Sequence, residues 1–437
     1  MEENKMKMKV AMICHFSNTE VRKHLPLSNG KLYRFMRKIF RLPKKNQGYA
    51  DLAPWDSSLI RDFNNREDIE LLVISAHSGL KKRKIAFSIE NVKYLFVRCH
   101  IATMLKYVLK NPKLWVKLNP MTPVIVGAVN EFNPDIVLLV GAENAYYSSS
   151  VLHIKKYPVY LLCQTVYNDP AFNSEGTINA YVEMEIFKKL SYVGVYCEKH
   201  YKLLQDLQYK GNILHFQFPI EKTINFGFSP LKDKPIDYIN FALQMSSSKG
   251  FDDCLKALAI VKKRYPDVQL HLVDGGPDTY RDYLKSLIFE LDLERNVSFI
   301  PFFADRADLF AHLQKVKFAV LPCKLDNLSG TQLQSMRYGL PVVCYRTAGT
   351  PSLNKKKKSV LIAEMNNYKD LAEKMLLLME DKELAEELRR NAKDYIIESD
   401  AKSDDNMNAL IDNFKAIINN YYNGVPIPQN QLFSLKV

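Results

Sequence analysis

The sequence has no long hydrophobic run. None of its apolar segments approaches the ~20 residues that a membrane-spanning helix requires, and the polar start Met1–Lys9 lacks the apolar core of a secretory signal. The cysteines number seven, and no two of them have CxxC spacing, which disfavours a disulfide framework or a zinc site. We therefore expect reduced, buried thiols in a cytoplasmic protein, with peripheral attachment to the inner membrane face left open.

Internal repeats of fixed period and low-complexity segments are absent as well, which excludes repeat architectures. The 437 residues are too many for one compact domain and fit two of ordinary size. The formal net charge of +13 favours anionic partners: nucleic acid, nucleotide phosphates or an acidic membrane surface. Since no RNP, zinc-finger or helix-turn-helix pattern is present, we expect no nucleic-acid partner.

Short apolar runs alternate along the chain with segments of helical period. Because these runs are continuous, they are typical of strands buried on both faces of a parallel sheet. The intervening helices are clearest at Phe251–Arg264, Tyr368–Glu380 and Lys382–Ile397, so the sequence predicts doubly wound α/β domains. The predicted strands are Val10–Cys14, Glu70–His77, Lys93–Arg98, Asp135–Gly141, Val159–Val166, Val193–Cys197, Ile213–Phe218, Tyr238–Gln244, Gln269–Gly276, Val297–Phe303, Phe318–Cys323, Pro341–Arg346 and Val360–Glu364.

The alternation breaks once, at Glu221–Pro235, which has two prolines and a glycine but no clear period. We place the interdomain linker there. The first domain then covers residues 1–220 and the second covers 236–403, with a last helix at about 404–421 in a tail that runs to residue 437. We expect the two domains to face a cleft, since ligands of open α/β sheets bind beyond the carboxyl ends of the strands.

The segment Gln244–Gly250 reads QMSSSKG and joins a predicted strand to a predicted helix. A helix start offers unpaired N–H groups and partial positive charge to an anion, and Lys249 adds a full charge that can reach a diphosphate. A polar turn with a solvated lysine is the alternative interpretation of so short a motif.

The second segment, Pro322–Pro341, reads PCKLDNLSGTQLQSMRYGLP. Asp326 lies in the loop after a predicted strand, and Ser329–Thr331 opens a helix that ends at Gly339. Small residues allow backbone amides to approach phosphate oxygens closely. The amide of Gln334, one turn into the helix, can bond ribose hydroxyls. An ordinary loop–helix–strand unit is the alternative here.

Taken together, these segments resemble the C-terminal domain of the retaining glycosyltransferases of the GT-B fold, in the large family four. The family's strand, "GR", short loop and "KG" are similar to LQMSSSKG here, and its two spaced glutamates before "AM" and "GLPVV" are similar to D-NLSGTQL-Q-SM-RY-GLPVV. LHLVDGGP and NVSFIPFF follow the family's order between them. The likeness covers residues 236–400. In the N-terminal half it rests on strand order, FNPDIVLLVGAEN and YLLCQTVYNDP.

The resemblance implies two Rossmann-like domains, a C-terminal helix that crosses back to the first, and retaining transfer of a sugar from a UDP- or GDP-sugar. The acceptor would be a saccharide or a polyprenyl-linked saccharide in cell-surface polysaccharide synthesis, such as capsule. The implied catalytic residues are Lys249, on the diphosphate, and Asp326, on sugar hydroxyls. The resemblance also implies donor contacts at Gln244, Gly250 and Ser329. Gly330 and Thr331 would offer their backbone amides to the diphosphate, and Gln334 would bind the ribose. Ile300 and Phe302 would lie beside the base.

The chain departs from the family's pattern at four positions. Gln244 stands where the family has an arginine, which removes one cation from the diphosphate site and weakens the stabilisation of leaving-group charge. Asp326 and Gln334 replace the two glutamates, and Tyr167 replaces a histidine. These departures favour one alternative, a catalytically degenerate sugar-nucleotide-binding subunit. A UDP-sugar epimerase of the same fold is a second alternative, but it should carry acidic and histidine residues in the cleft that the sequence does not show.

Acceptor contacts are expected where strands of the first domain end. His15 follows the first predicted strand, Glu143 and Asn144 follow a later one, and Tyr167 stands at the family's histidine position. A structural role is the alternative for an isolated histidine. No DxD run is present to hold a divalent ion. Because Lys249 and helix-terminal amides meet the charge of the leaving diphosphate, we expect neither a metal nor another cofactor.

Two basic stretches lie in the first predicted domain. Residues 20–47 carry nine Lys or Arg against Glu20 and include a basic amphipathic helix predicted at Tyr33–Leu42. The stretch Arg98–Asn130 has no acidic residue and contains Lys106, Lys110, Lys113, Trp115 and Lys117. These patterns favour docking on an anionic membrane surface through residues 20–47 and 98–118. A solvated basic face is the alternative.

Overall fold

The computed structural model describes residues 7–27, 52–170, 175–218, 230–242, 245–275, 278–303, 306–325, 328–401 and 403–434. These residues divide into two compact units. Unit 1 contains residues 7–27, 52–218 and 403–434, and unit 2 contains residues 230–401, within the described ranges. The amphipathic helix predicted at Tyr33–Leu42 lies outside the described residues.

Unit 1 is a doubly wound α/β domain. Its described strands form one sheet in the order β3-β4-β2-β1-β5-β6-β7-β8, in which β3 is antiparallel to β4 and every other pair is parallel. The strands are β1 (Met8–Cys14), β2 (Ile69–His77), β3 (Lys84–Ile89), β4 (Val92–Arg98), β5 (Ile136–Val140), β6 (Val159–Leu162), β7 (Tyr192–Val195) and β8 (Asn212–His215). The helices are α1 (Thr19–Lys23), α2 (Pro54–Asn64), α3 (His100–Val108), α4 (Pro112–Leu118), α5 (Thr122–Phe132), α6 (Ala145–Ser148), α7 (Ile178–Lys189) and α8 (Glu198–Asp206).

Unit 2 is a second Rossmann-like domain. Its described strands form a parallel sheet in the order β11-β10-β9-β12-β13-β14. The strands are β9 (Ile236–Asn240), β10 (Leu270–Asp274), β11 (Val297–Pro301), β12 (Val316–Leu321), β13 (Val342–Tyr345) and β14 (Leu361–Ala363). The helices are α9 (Phe251–Lys262), α10 (Asp278–Glu290), α11 (Arg306–Leu313), α12 (Gly330–Arg337), α13 (Tyr368–Glu380) and α14 (Lys382–Ala401).

The last helix, α15 (Ser403–Asn423), follows unit 2 in the chain but packs in unit 1. Phe414 stacks on Phe63 with ring centroids 6.1 Å apart, and Asn413 Nδ2 donates to the His215 carbonyl at 2.9 Å. The apolar stripe of this helix therefore completes one of the two cores that cover the unit 1 sheet.

Both faces of the central strands are buried, as the continuous apolar runs predict. In β1, Ala11 and Ile13 enter one core cluster, whereas Val10, Met12 and Cys14 enter the other. Each of the thirteen predicted strands is present, although most end earlier than predicted. The predicted strand Val159–Val166 stops at Leu162 because Cys163 and the residues after it leave the sheet at its carboxyl edge.

Strand β3 was not predicted. Its exposure alternates along Lys84–Ile89 because it lies at the edge of the sheet in a hairpin with β4. The turn passes through Glu90, whose φ of 50° is left-handed. An alternating half-buried strand of this kind lacks the continuous apolar run by which the other strands were found.

Candidate functional site

The carboxyl edge of the unit 2 sheet contains the reversal of strand order that characterises ligand sites in doubly wound folds. Strand β9 lies between β10 on one side and β12 on the other, so the chain winds outward in opposite directions from this pair. The two segments singled out in the sequence follow β9 and β12. The topology therefore brings both predicted phosphate loops to one place.

Gly250 is the point at which these two loops meet. Its φ is 74°, a left-handed conformation that favours glycine. A Cβ at this position would overlap the carbonyl oxygen of Pro322, the first residue after β12. The backbone N–H of Lys324 also donates to the Ser248 carbonyl at 2.9 Å. The loops are thus in backbone contact, which is a structural reason for the glycine in the predicted motif.

Lys249 ends a short 3-10 turn, Ser247–Lys249, and its side chain is half-buried directly before α9. The first turn of α9 contains two buried carboxylates, Asp252 and Asp253. Asp252 accepts hydrogen bonds from the hydroxyls of Ser247 (3.4 Å) and Tyr280 (3.2 Å). The predicted diphosphate site therefore holds negative as well as positive groups. The two aspartates stand directly after the lysine and glycine in KGFDD but were not among the predicted site residues.

Asp253, in the first turn of the helix that follows the first phosphate loop, forms an ion pair with Lys324 of the second loop. Its Oδ2 lies 2.8 Å from Lys324 Nζ and accepts a hydrogen bond from the Tyr345 hydroxyl at 2.9 Å. Lys256 Nζ lies 3.8 Å from Oδ1 of the same carboxylate. Lys324 comes from the second loop and Tyr345 from the end of β13, so three chain segments converge on this group.

The second loop forms the start of α12. Buried Ser329 donates its backbone N–H to Gln332 Oε1 at 3.1 Å, and its hydroxyl lies 2.8 Å from that of Thr331. Gly330 is exposed, and nothing in the described chain lies within 4 Å of where its Cβ would be. Unlike Gly250, this glycine is not required by packing, so the surface at Gly330 is open to a close-approaching ligand.

The other predicted donor contacts have different outcomes. Gln244 and Asp326 lie outside the described residues. Gln334 is half-buried in α12, one turn after Gly330. Ile300, near the end of β11, and Phe302, just after it, are also half-buried at the same edge of the sheet. Their contacts with a ligand remain predictions.

The strand order of unit 1 reverses between β1 and β5. His15 directly follows β1, whereas Glu143 and Asn144 follow β5, so the predicted acceptor residues flank this reversal. The Tyr146 hydroxyl lies 2.9 Å from His15 Nδ1, which orients the imidazole ring. Asn144 precedes α6 and its carbonyl accepts a hydrogen bond from Ser148 Oγ at 3.0 Å.

Glu143 folds back over the end of its own strand. A Cβ at Gly141, whose φ is 75°, would lie 2.6 Å from the Glu143 carboxylate oxygens. With the Gln164 amide oriented to satisfy its neighbours, its nitrogen donates to Glu143 Oε1 at 3.2 Å and its oxygen accepts from Trp55 Nε1 at 2.7 Å. Oε2 of Glu143 is enclosed without a hydrogen-bond partner. Burial raises the pKa of Glu143 to about 7, and the charge of Glu183 adds to this rise.

Asp56 is a second buried carboxyl group in this region. It lies in the first turn of α2, is inaccessible to solvent, and has no hydrogen-bond partner at Oδ2. Burial raises the pKa of Asp56 well above its usual range, and repulsion from Glu143 acts in the same direction. The protonated form of Asp56 is therefore favoured over a wider pH range than that of an exposed aspartate. It was not among the predicted residues.

Glu183 positions the loop that contains Tyr167. Its Oε1 accepts the backbone N–H of Tyr167 at 2.8 Å, and its Oε2 accepts the backbone and side-chain N–H groups of Asn168, also at 2.8 Å. Burial raises the pKa of Glu183 to about 7, against the opposing effect of these hydrogen bonds. Glu183 was missed as well; a lone acid on the apolar side of α7 was the signal for it.

Among the described residues there is no group of three or more His, Cys, Asp or Glu side chains arranged to hold a metal ion. The seven cysteines are free thiols, and all except half-buried Cys197 are buried. No described helix is long and apolar enough to cross a membrane.

Residues 223–395 match the model of the family described as Glycosyl transferases group 1. This range contains both phosphate loops. A protein of Haemophilus influenzae named uncharacterized glycosyltransferase is 31% identical over 157 residues, which cover 35% of this chain and 43% of that protein. A Mycolicibacterium smegmatis protein named GDP-mannose-dependent alpha-(1-6)-phosphatidylinositol monomannoside mannosyltransferase is 29% identical over 131 residues, which cover 28% of this chain and 32% of that protein. The chain thus matches less than half the length of these relatives.

Among solved structures, sucrose-phosphate synthase from Thermosynechococcus elongatus superposes with a TM-score of 0.67 over 94% of this chain and 98% of that one, at 14% identity. The fold is of the GT-B class. Two parallel-sheet, Rossmann-like units in one chain are what the sequence predicted. At this level of identity the GT-B likeness shows the fold alone.

Proposed function

We propose that the protein is a glycosyltransferase that moves a sugar from a UDP- or GDP-sugar to a saccharide or lipid-linked saccharide acceptor. The observation that carries the proposal is the junction of two phosphate loops at the strand-order reversal of unit 2. Lys249 and Gly250 lie on one loop and Gly330 and Thr331 on the other. The match of residues 223–395 to a glycosyltransferase family supports the same activity.

In this proposal the unit 2 edge binds the nucleoside diphosphate as a leaving group. The bond between the sugar and the diphosphate breaks with its electron pair on the phosphate oxygen. The ammonium of Lys249 and the backbone amides at the start of α12 stabilise that charge. Asp326 holds sugar hydroxyls and Gln334 the ribose, as the family resemblance implies. In this proposal the ammonium of Lys249 and the backbone amides offset the charge of the leaving group, and no metal takes part.

The acceptor is proposed to bind at the unit 1 edge. His15, Glu143, Asn144 and Tyr167 all lie at the carboxyl ends of β1, β5 and β6. This set offers hydrogen-bond donors and acceptors, which suits sugar hydroxyls. Retention of configuration and a place in cell-surface polysaccharide synthesis, such as capsule, belong to the same proposal and rest on the resemblance. NMR of the anomeric proton in the product tests retention.

A thermal-shift screen against UDP, GDP, ADP and their common sugar conjugates tests the donor assignment. A ligand at a hundredfold excess over its dissociation constant stabilises the native state by about 2.7 kcal/mol. We expect UDP or GDP and its sugar conjugate to raise the Tm of the wild type, and Lys249→Ala to abolish the rise. Failure of all nucleotides to stabilise the wild type would reject the proposal. Binding without turnover would favour a degenerate subunit, and donor turnover without acceptor an epimerase.

We further propose that unit 1 docks on an anionic membrane surface through residues 98–118. Helices α3 and α4 expose four large apolar side chains, Ile101, Val108, Leu114 and Leu118, of which Val108 is 61% exposed. Lys110, Lys113 and Lys117 lie among them, and the stretch has no acid. Apolar groups that enter the acyl region beside cations at the headgroups form an interfacial anchor. Lys106 differs from these three, because its ammonium donates to Asn179 Oδ1 at 2.8 Å and is held against α7. The second predicted stretch, 20–47, lies largely outside the described residues.

Sedimentation with vesicles of phosphatidylglycerol or phosphatidylcholine tests the docking. The wild type is expected to pellet with phosphatidylglycerol, less so at high salt, and Val108→Ser with Leu118→Ser to reduce the pelleted fraction. Phe289→Ser is the matched control, since Phe289 is 75% exposed on unit 2. Equal recovery with both lipids, or no effect of the double variant, would contradict the assignment.

A further inference from the structure

We infer that Lys324 is a second cation for the donor diphosphate, held in place by Asp253 until the ligand binds. The inference rests on the proposed function and adds a residue that the sequence did not single out. Lys324 lies three positions after β12, in the loop that meets the Ser247–Gly250 turn.

The backbone of Lys324 is fixed beside the first loop. Its N–H donates to the Ser248 carbonyl at 2.9 Å, one residue before Lys249. The side chain of Lys324 is partly accessible, with 21% of its surface exposed, and its ammonium lies 2.8 Å from Asp253 Oδ2. Two lysines from two different loops therefore flank the start of α9.

A second lysine is needed to make the sum of the charges named at this helix start positive. Asp252 and Asp253 are buried in the first turn of α9, at 7% and 5% exposure, and place two negative charges where a diphosphate is expected. Lys249 alone does not offset two carboxylates. Lys256, whose ammonium lies 3.8 Å from Asp253, and Lys324 bring the sum of these named charges to one positive. Without Lys324 the sum of these named charges is zero, and the attraction of an anionic ligand to this helix start is weaker.

Asp253 can release Lys324 without being left unpaired. Its Oδ2 also accepts a hydrogen bond from the Tyr345 hydroxyl at 2.9 Å, and Lys256 remains near Oδ1. The buried carboxylate thus keeps two partners when the Lys324 ammonium turns toward a phosphate. Lys324 exchanges one anionic partner for another, and the cost of desolvating its charge is already met in the unliganded protein.

Isothermal titration with UDP, GDP and inorganic pyrophosphate tests the inference. Lys324→Met keeps the volume and loses the charge, so we expect it to weaken binding of the preferred nucleotide roughly tenfold, the size of one charge-assisted hydrogen bond. Lys324→Arg should retain most of the affinity. The control is Lys317→Met, which breaks a similar pair, Lys317 Nζ to Asp237 Oδ1 at 2.8 Å, at the opposite end of β9 and β12. This control should change the affinity less than twofold.

The variant Asp253→Asn distinguishes two roles of Lys324: binding the ligand, or only forming an ion pair that stabilises the fold. If Lys324 binds phosphate, loss of its competing carboxylate frees the ammonium, and the affinity should rise severalfold. A structural pair predicts instead that Lys324→Met and Asp253→Asn lower both the Tm and the affinity together. Loss of binding in Lys249→Ala with unchanged binding in Lys324→Met would overturn this inference alone. No nucleotide binding to the wild type would overturn it together with the proposed function.

Discussion

The carboxyl edges of the two sheets differ in charge although the two units share a topology. At the unit 2 edge, Lys249 and Lys324 approach from separate loops and the start of α12 offers backbone amides. Three buried carboxyls, Glu143, Asp56 and Glu183, lie at the unit 1 edge, and burial raises the pKa of each. The unit 2 edge thus presents lysines and backbone amides beside two buried aspartates, whereas burial at the unit 1 edge favours the protonated form of its carboxyls.

Under the proposed function, strand order determines where each site lies, and the loop residues determine which ligand binds there. Both reversals, at β9/β12 and at β1/β5, present the ends of parallel strands. What differs is the few residues that follow each strand. The assignment of donor to unit 2 and acceptor to unit 1 therefore rests on side chains, and each of them can be replaced.

The largest expected effect is at the glycine where the unit 2 loops meet. Gly250→Ala puts a methyl group against the Pro322 carbonyl in a left-handed backbone, so we expect a loss of about 4 kcal/mol of stability and of nucleotide binding. Differential scanning calorimetry measures the first and titration calorimetry the second. Gly330→Ala is the matched control, with an unchanged Tm because the space around Gly330 is open. Equal Tm values for the two variants would contradict the backbone contact between the loops.

In unit 1, Glu183→Ala should cost about 3 kcal/mol, because the backbone N–H groups of Tyr167 and Asn168 lose their acceptor. Hydrogen exchange at these two amides should accelerate. Glu185→Ala on the same helix removes only an exposed pair with Lys188 and is expected to change stability by less than about 0.5 kcal/mol. If both variants had the same Tm, Glu183 would have no role in holding the Tyr167 loop.

The raised pKa values predict that unit 1 becomes less stable as pH rises. Glu143 titrates near 7 in the folded protein and about 4.3 when unfolded. Its favourable contribution is therefore complete below the unfolded value and is lost as pH rises through 7. Glu143 alone should contribute a loss of about 2 kcal/mol to unit 1 between pH 5.5 and pH 8, and Glu143→Gln should remove that part of the loss.

Tryptophan fluorescence during urea unfolding measures this effect in unit 1 alone. Both tryptophans of the chain, Trp55 and Trp115, belong to unit 1. A stability that rises with pH, or an identical slope in Glu143→Gln and the wild type, would show that Glu143 is not held in its protonated form.

The smallest expected effect is at the His15 ring. Tyr146→Phe removes the hydroxyl that lies 2.9 Å from His15 Nδ1, with an expected cost of about 1 kcal/mol and a severalfold rise in acceptor KM at unchanged donor KM. Tyr157→Phe is the control, since it loses an equivalent bond to Asn133 at the amino end of β6. Steady-state kinetics with both substrates varied gives the comparison. A change in donor KM alone would place His15 in the donor site.

Strands and their order of appearance were predictable because burial on both faces leaves continuous apolar runs, as in β1 and β5. The loops at strand ends were predictable from small and basic residues, as in Ser247–Gly250. The buried carboxyls could not be predicted from such patterns. Asp56 and Glu143 are far apart in the chain, and only the fold brings α2 near the segments that follow β5 and β6, where Gln164 bridges Trp55 and Glu143. The Lys324–Asp253 pair likewise follows from a contact between distant segments.

The return of α15 to unit 1 has a consequence for synthesis on the ribosome. The described residues of unit 2 lie in one stretch of the chain, 230–401, which can fold once residue 401 has emerged. Unit 1 must wait, because Phe414 and its helix cover Phe63 and Tyr160, and Phe433 donates its N–H to the Ile213 carbonyl at 2.8 Å. Unit 1, most of which is synthesised first, therefore completes its folding last. Until α15 has been synthesised, the apolar surface that this helix covers stays exposed, and a chaperone would be needed there.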